Sequence, residues 1–507
     1  MADKITEAQL FINGEFTDAV SGETFSSTNP ATGQEWARVA KGDREDAIRA
    51  IKAARTAFDE GPWPKMSGKE RAEKLNQIAE GIGKAQQQIA DDEVHDGGGT
   101  MRKAMLADVP GAQSTFQWFA QCAETLPDIT NLEGSLFPPS ENYVRREPYG
   151  VTTGVIPWNF PLLMAGWKIA PSIAAGNCCV IKPASFTSVT ALDLARVIQE
   201  ADLPPGVVNV VAGPGGSVGE ELASNPMVDK TAFTGSTEVG RRIMQLASGT
   251  VKAVTLELGG KSANIVLDDA DLDIAAAGVL WGTFLHNGQV CESGTRALVH
   301  RAVYDEFLSM LVDRAGKISI GNPLDFGTDL GPLVSRQQVE TVERYVAIGK
   351  DEGATLVIGG SKPETLADGL DREAFYNPTI FAGVDNTSRL AQEEIFGPVL
   401  SVIPFDNDDQ AVAIANDSIY GLGGGVWSAD VDRAKTVAHG MRTGTVWIND
   451  YHLIDSKRPF GGYKQSGIGR ELGTFGYDAY RQVKHVHVNP QAGRDGHVHY
   501  QMLSANI

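Results

Sequence analysis

The sequence predicts an α/β protein built around a doubly wound, largely parallel sheet, and three observations lead there. A chain of 507 residues exceeds what one ordinary core holds, so two or three domains are expected. From about residue 151, short apolar runs alternate with stretches of helical periodicity, the rhythm of strand, turn and helix. At FTGSTEVGRRI, 233–243, an apolar run meets Gly235, Ser236 and Thr237 and passes into a helical one.

Apolar positions three or four apart predict helices over 45–59, 67–84 and 100–123. The sheet then begins with GVTTGVIPW, followed by a helix over 162–175, the strand NCCVIKP, a helix over 187–200, and the strands VVNVV and DKTAFTG. Later, NIVLDDADLDIAAAGVLWGTFL reads as a strand before a helix, with acids near the helix start, where negative charge is favoured. Residues 128–148 are polar and contain proline, and read as a surface loop or an oligomerising arm. The chain has no internal repeat and no low-complexity tract.

Hydrophobic content of 42% and charged content of 21% describe a globular protein, and a net charge of −20 disfavours nucleic acid and anionic membrane as partners. The acidic N-terminal segment lacks a signal-peptide core, and the most apolar stretch, 151–181, is broken by Pro157, Pro161, Lys168 and Pro171. A cytoplasmic protein is expected. Four irregularly spaced cysteines, Cys122, Cys178, Cys179 and Cys291, suggest reduced thiols. His485, His487, His497 and His499 crowd the tail, where alternation of His and Val reads first as a strand with an exposed and a buried face rather than as a metal site.

Two segments carry the chemistry. VTLELGGKS at 254–262 supplies a carboxylate, Glu257, and FLHNGQVCESGTR at 284–296 supplies a thiol, Cys291, each among glycines. A thiolate is the strongest common side-chain nucleophile near neutral pH, and a glutamate can draw a proton from water, so the pair suits formation and hydrolysis of a thioester. Read singly, Cys291 fits a small buried hydrophobe and Glu257 a partner for a neighbouring cation. The strand-to-helix junction at Gly235 and Ser236 offers free backbone N–H groups and a helix dipole to a pyrophosphate. Gly213, Gly215 and Gly219, in VVNVVAGPGGSVGEEL, do not fit GxGxxG and read as a glycine-rich turn.

Seven segments in order resemble those of the aldehyde dehydrogenase superfamily: IPWNFPLLM, VIKPASFTS, FTGSTEVG, LELGGKS, NGQVC, EEIFGPV and PFGGYKQSGIGRELG. The resemblance implies a Rossmann-type nucleotide-binding domain over 1–127 and 149–258, an α/β catalytic domain over 259–470, and a small bridging β element from 128–148 and 471–507. It makes Cys291 the nucleophile and Glu257 the general base. Asn159 would donate its amide to an oxyanion beside the backbone N–H of Cys291. An NAD(P)-dependent oxidation of an aldehyde to its acid is implied, by a homodimer or homotetramer. Intact Glu257 favours hydrolysis over the branch that passes the acyl group to coenzyme A, and the intact trio argues against a non-catalytic structural relative.

The cofactor positions carried over are Ile156, Trp158, Lys182, Ser185, Gly215, Gly219, Phe233, Gly235, Ser236, Leu258, Gly259, Glu394 and Phe396, and none for a metal. Ser185 stands where NAD-specific members often have Glu, so both NAD and NADP are expected to serve. The aldehyde tunnel should be bordered by Phe160, Met164, Trp167, Leu285, His286, Asp450, Ile454 and Phe460. Aliphatic Leu285 and Ile454, where many members that favour small aldehydes carry bulky aromatic rings, point to medium aliphatic or aromatic aldehydes, with an aminoaldehyde or betaine-aldehyde type as the alternative. Asp450 reads as a solvated loop residue, and Glu292, beside the nucleophile, is expected to point away from the sulfur.

Overall fold

Helix starts fall where polar side chains can satisfy free N–H groups. Asp43 accepts from the backbone of Glu45 and Asp46 and opens the helix Arg44–Asp59, while Ser67 and Glu70 form a capping box at the head of Gly68–Lys84. The helix expected over 100–123 is divided. Met101–Lys103 leads into a π turn, Ala104–Asp108, and then Val109–Thr125, with Pro110, which has no N–H to donate, directly after the widened turn. These coordinates, a computed structural model, describe residues 5–134 and 140–503. The first four residues, positions 135–139 of the expected bridging segment and 504–507 of the tail lie outside them.

Two sheets form the body. The first has eight strands, in the order Gly467–Ile468, Ala253–Glu257, Lys230–Thr234, Val151–Val155, Cys178–Lys182, Val208–Val210, Leu10–Ile12 and Glu15–Thr17. The five strands from Ala253–Glu257 to Val208–Val210 run parallel and are almost wholly buried, which is why they read as continuous apolar runs. The second sheet has seven strands, with Arg296–His300 and Ala263–Val266 near its centre. Helix Pro161–Ala174 packs on the first sheet, and Leu272–Phe284, capped by Asp271, leads out of the second.

The structure departs from the sequence reading in four places. Gln86–Gly97 is a helix that periodicity did not single out, because its buried side includes Asp92, Glu93 and Asp96 beside Ile89 and Val94. Within 128–148, Ile129–Leu132 and Glu141–Pro148 are strands, joined with Arg481–Val488 in an antiparallel three-stranded sheet. Gly467–Ile468 returns from the expected catalytic segment to the edge of the first sheet. The tail strand does not alternate between buried and exposed faces: Val483 is 68% exposed, and His485 and His487 both lie 3.0 Å from the side-chain oxygen of Asn142. Among the described residues, no group of three or more His, Cys, Asp or Glu could hold a metal, and no helix is long and apolar enough to cross a membrane.

Candidate active site

Parallel strands collect ligands at their carboxyl ends, and four adjacent strands end here beside expected site residues. Val151–Val155 runs into Ile156, Trp158 and Asn159, and Cys178–Lys182 ends at Lys182, with exposed Ser185 beyond it. Lys230–Thr234 contains Phe233 and leads to Gly235 and Ser236, and Ala253–Glu257 ends at Glu257, with Leu258 and Gly259 following. Ser236 caps the helix Thr237–Ala247 by accepting from Val239. A side chain at Gly235 would press on the Phe233 ring, 2.6 Å away. Lys182 is buried, which lowers its pKa to about 8, and its ammonium donates to the Pro183 carbonyl at 2.5 Å. Gly219 passes close to its stem, whereas Gly215 is open to solvent.

Cys291 lies across from these strand ends, between the turn Leu285–Gly288 and the strand Arg296–His300. Asn159 donates to the Gln289 carbonyl at 2.8 Å and so ties the first sheet to the loop carrying the thiol. A Cβ on Gly260 would collide with the Cys291 carbonyl, so glycine there permits that approach. The Gly260 N–H donates to Glu394 at 3.0 Å, and burial raises the Glu394 carboxyl to about 7. Phe396 holds a positive φ of 58° and sets its ring edge-on to Trp158.

Glu257 is buried, and among the described residues neither of its carboxyl oxygens has a hydrogen-bond partner. Burial, then the charge of Glu471, pushes its pKa well above the usual carboxylate range, against the pull of Lys168 and Arg470. Lys168 pairs with Glu471 and donates to Thr234 at 2.8 Å, all three being buried. Neither Lys168 nor Glu471 was assigned a role from sequence. The signal available was a lone lysine in an otherwise apolar helix, since a buried ammonium requires a partner.

One expectation is overturned. Glu292 faces the sulfur: the Cys291 thiol donates to Oε2 at 3.1 Å, and Oε1 lies 3.1 Å from Nδ1 of His452. A buried carboxylate needs polar partners, and His452, brought in from the loop after strand Trp447–Ile448, provides one. Burial, then the Glu292 charge and its hydrogen bond, holds the thiol pKa well above its ordinary value. Burial opposes ionisation of Glu292 too, but the hydrogen bond and charge of His452 hold its carboxyl below the usual range.

The expected tunnel residues divide. Met164, Trp167 and Phe460 are buried in the core against which half-buried Cys291 and Phe160 pack, with the Trp167 and Phe460 rings edge to face at 5.3 Å. His286 is buried at a positive φ beside Phe160, and burial, with Lys103 second, drives its pKa well down. Leu285 is half-buried, while Ile454 and Asp450 are exposed.

A thiol and a buried carboxyl beside the carboxyl ends of a parallel sheet suited to a dinucleotide fit the class of nicotinamide-dependent oxidoreductases. The model of the Aldehyde dehydrogenase family matches residues 16–486, and the chain belongs to that family. It is 47% identical to the betaine aldehyde dehydrogenase of Bacillus subtilis (strain 168), covering 95% of this chain and 97% of that one. Aldehyde dehydrogenase family 2 member B4, mitochondrial, of Arabidopsis thaliana is 42% identical, over 95% and 88%. The crystal structure of betaine aldehyde dehydrogenase from Staphylococcus aureus in complex with NAD+ superposes with a TM-score of 0.92 at 40% identity, over 96% and 95%. An NAD+ complex of aldehyde dehydrogenase from Bacillus cereus gives 0.92 at 41%, over 96% and 97%. The reaction is therefore the oxidation of an aldehyde to its acid with a nicotinamide cofactor.

Proposed function

We propose that the substrate is a neutral, medium-length aliphatic or aromatic aldehyde and that NAD and NADP both serve. The observation that carries the substrate class is the Lys103 ammonium, 4.0 Å over the Phe160 ring. One aromatic face beside the thiol is thus already taken by a cation, and the remaining wall of Met164, Trp167 and Phe460 is apolar. The relatives named for betaine aldehyde favour a second reading, in which the Trp167 and Phe460 rings receive a quaternary ammonium through cation–π attraction. Comparing kcat/KM for hexanal, benzaldehyde and betaine aldehyde separates them. Higher efficiency with hexanal or benzaldehyde supports the first, and a preference for betaine aldehyde exceeding tenfold rejects it.

The strand ends fit a dinucleotide: Lys182 has no carboxylate partner among the described residues, and the helix headed by Ser236 begins after Lys230–Thr234, two strands along the same sheet. Ser185 donates to the Gly213 carbonyl at 3.2 Å and brings no charge to repel a 2′-phosphate. Ser185→Glu should therefore lower kcat/KM with NADP at least tenfold while sparing NAD, and equal losses with both would reject this role.

In this reading a bound nicotinamide supplies the hydride acceptor. Cys291 attacks the carbonyl carbon, and Asn159 with the backbone N–H of Cys291 holds the oxyanion, at roughly 3–4 kcal/mol for each donor. Glu257 draws a proton from the water that hydrolyses the thioester.

A further inference from the structure

The thiol of Cys291 must lose its proton before or as it attacks, and besides burial the charges of Glu292, Glu394 and Glu257 oppose that loss. Among the described residues, Glu292 alone accepts its hydrogen bond, at 3.1 Å. Glu394 is engaged with the Gly260 N–H, and burial holds both Glu394 and Glu257 toward their neutral forms.

The surroundings of Glu292 suit a base. His452 lies with Nε2 at 3.1 Å from the Gly282 carbonyl and Nδ1 at 3.1 Å from Glu292 Oε1. A carbonyl only accepts, so Nε2 carries hydrogen, and a proton lies between Nδ1 and the carboxylate. Packing fixes this order. Trp281 and Tyr451 set their rings edge-on to His452, and the Tyr451 hydroxyl donates to the Glu292 backbone carbonyl at 2.8 Å. The next charged group near Tyr451 is Arg296, whose guanidinium is taken up by Asn386 and by the backbone carbonyls of Lys261, Ile414 and Ala415.

We propose that Glu292 is a catalytic residue, the base that takes the Cys291 thiol proton, and that His452 is the residue that positions it. As the C–S bond forms, the S–H bond breaks, the proton passes to Glu292 Oε2, and the carbonyl π pair moves to oxygen. When water later cleaves the thioester, the C–S bonding pair returns to sulfur, which takes the same proton back. The proton released by water goes to Glu257, so the two glutamates divide the two proton transfers. This assignment rests on the thioester chemistry set out above.

The test is the pre-steady-state burst of reduced nicotinamide with NAD+ and propanal, followed from pH 6 to 10 in wild type, Glu292→Gln, His452→Gln and the double variant. A wild-type burst followed by slower turnover tests the thioester reading by itself, and ratios between variants test the role of Glu292. Glu292→Gln is expected to slow the burst at least tenfold at pH 7 and to recover about tenfold per pH unit as the thiol ionises unaided. In the cofactor-free enzyme, alkylation of Cys291 by iodoacetamide needs the same proton loss, so in this variant it should slow at pH 7 and recover toward pH 10 in step with the burst. His452→Gln should slow the burst less, and add nothing in the Glu292→Gln background. A burst at pH 7 as fast as wild type in Glu292→Gln overturns the proposal, because Glu292 would then only oppose the thiolate. A loss equal at every pH, shared by iodoacetamide, also overturns it.

Discussion

Burial pushes the pKa of the Glu257 carboxyl up, so its ionisation depends on the charges behind it. Lys168 is the buried cation that pulls its pKa down, while Glu471 pushes it up. Replacing Lys168 with Met should move the acid limb of the deacylation rate to higher pH, because Glu257 must ionise to act as a base and would do so later. Turnover on the acid side of the profile should fall and recover as pH rises, whereas Lys168→Arg should keep the wild-type profile. An unmoved limb in a folded Lys168→Met enzyme would remove Lys168 from control of Glu257. Unfolding is a real risk of that substitution, since an unpaired buried Glu471 costs on the order of 3–5 kcal/mol, so the melting transition should be recorded beside the rates. At this scale the sequence was informative wherever chemistry is local: Cys291 and Glu257 announce themselves through the glycines around them. Lys168 and Glu471 are 303 positions apart, and Glu292 and His452 are 160 apart. Their pairing exists only in the fold, which is why Glu292 was expected to turn away.

Among the elements, those with local signals were legible and those with a polar buried face were not. Apolar spacing located Arg44–Asp59 and Gly68–Lys84 within a residue, since that signal acts within one helix. The helix Gln86–Gly97 hides its inward side because three of its acids are buried. Glu93, with both carboxyl oxygens unpartnered, is pushed up to about 8 by burial, with the Asp108 charge second. A folded-state pKa above the unfolded value of 4.5 gives stability that is full in acid and is lost as pH rises through about 8. Glu93→Gln cannot ionise. Its unfolding free energy relative to wild type should therefore rise between pH 6 and 8, by at most about 1.4 kcal/mol per unit. Urea melts at four pH values would show this, and parallel curves for the two proteins would mean that Glu93 is already ionised in the folded protein over that range.

In the whole molecule, the two large sheets carry most of the buried core, and the small antiparallel sheet stands outside it with exposed apolar side chains. Its strands Ile129–Leu132 and Arg481–Val488 form its two edges, with Ile129, Leu132 and Val483 each about half exposed or more. An open strand edge offers unpaired N–H and C=O groups, and exposed apolar side chains beside it favour a protein partner over water. The sequence could place this segment outside the regular α/β rhythm but could not show its third strand, because Glu141–Pro148 pairs with Arg481–Val488, more than 300 positions away. A second copy of the chain is the partner expected, with the sheet as the joining surface. Light scattering of the wild type should then give a dimer or tetramer. Val483→Asp, placing a charge at a position 68% exposed in the single chain, should shift the population toward monomer while leaving the fold intact. A wild-type monomer would reject self-association. An unchanged oligomer in the variant would move the contact away from Val483, to a surface where the burial of this sheet plays no part.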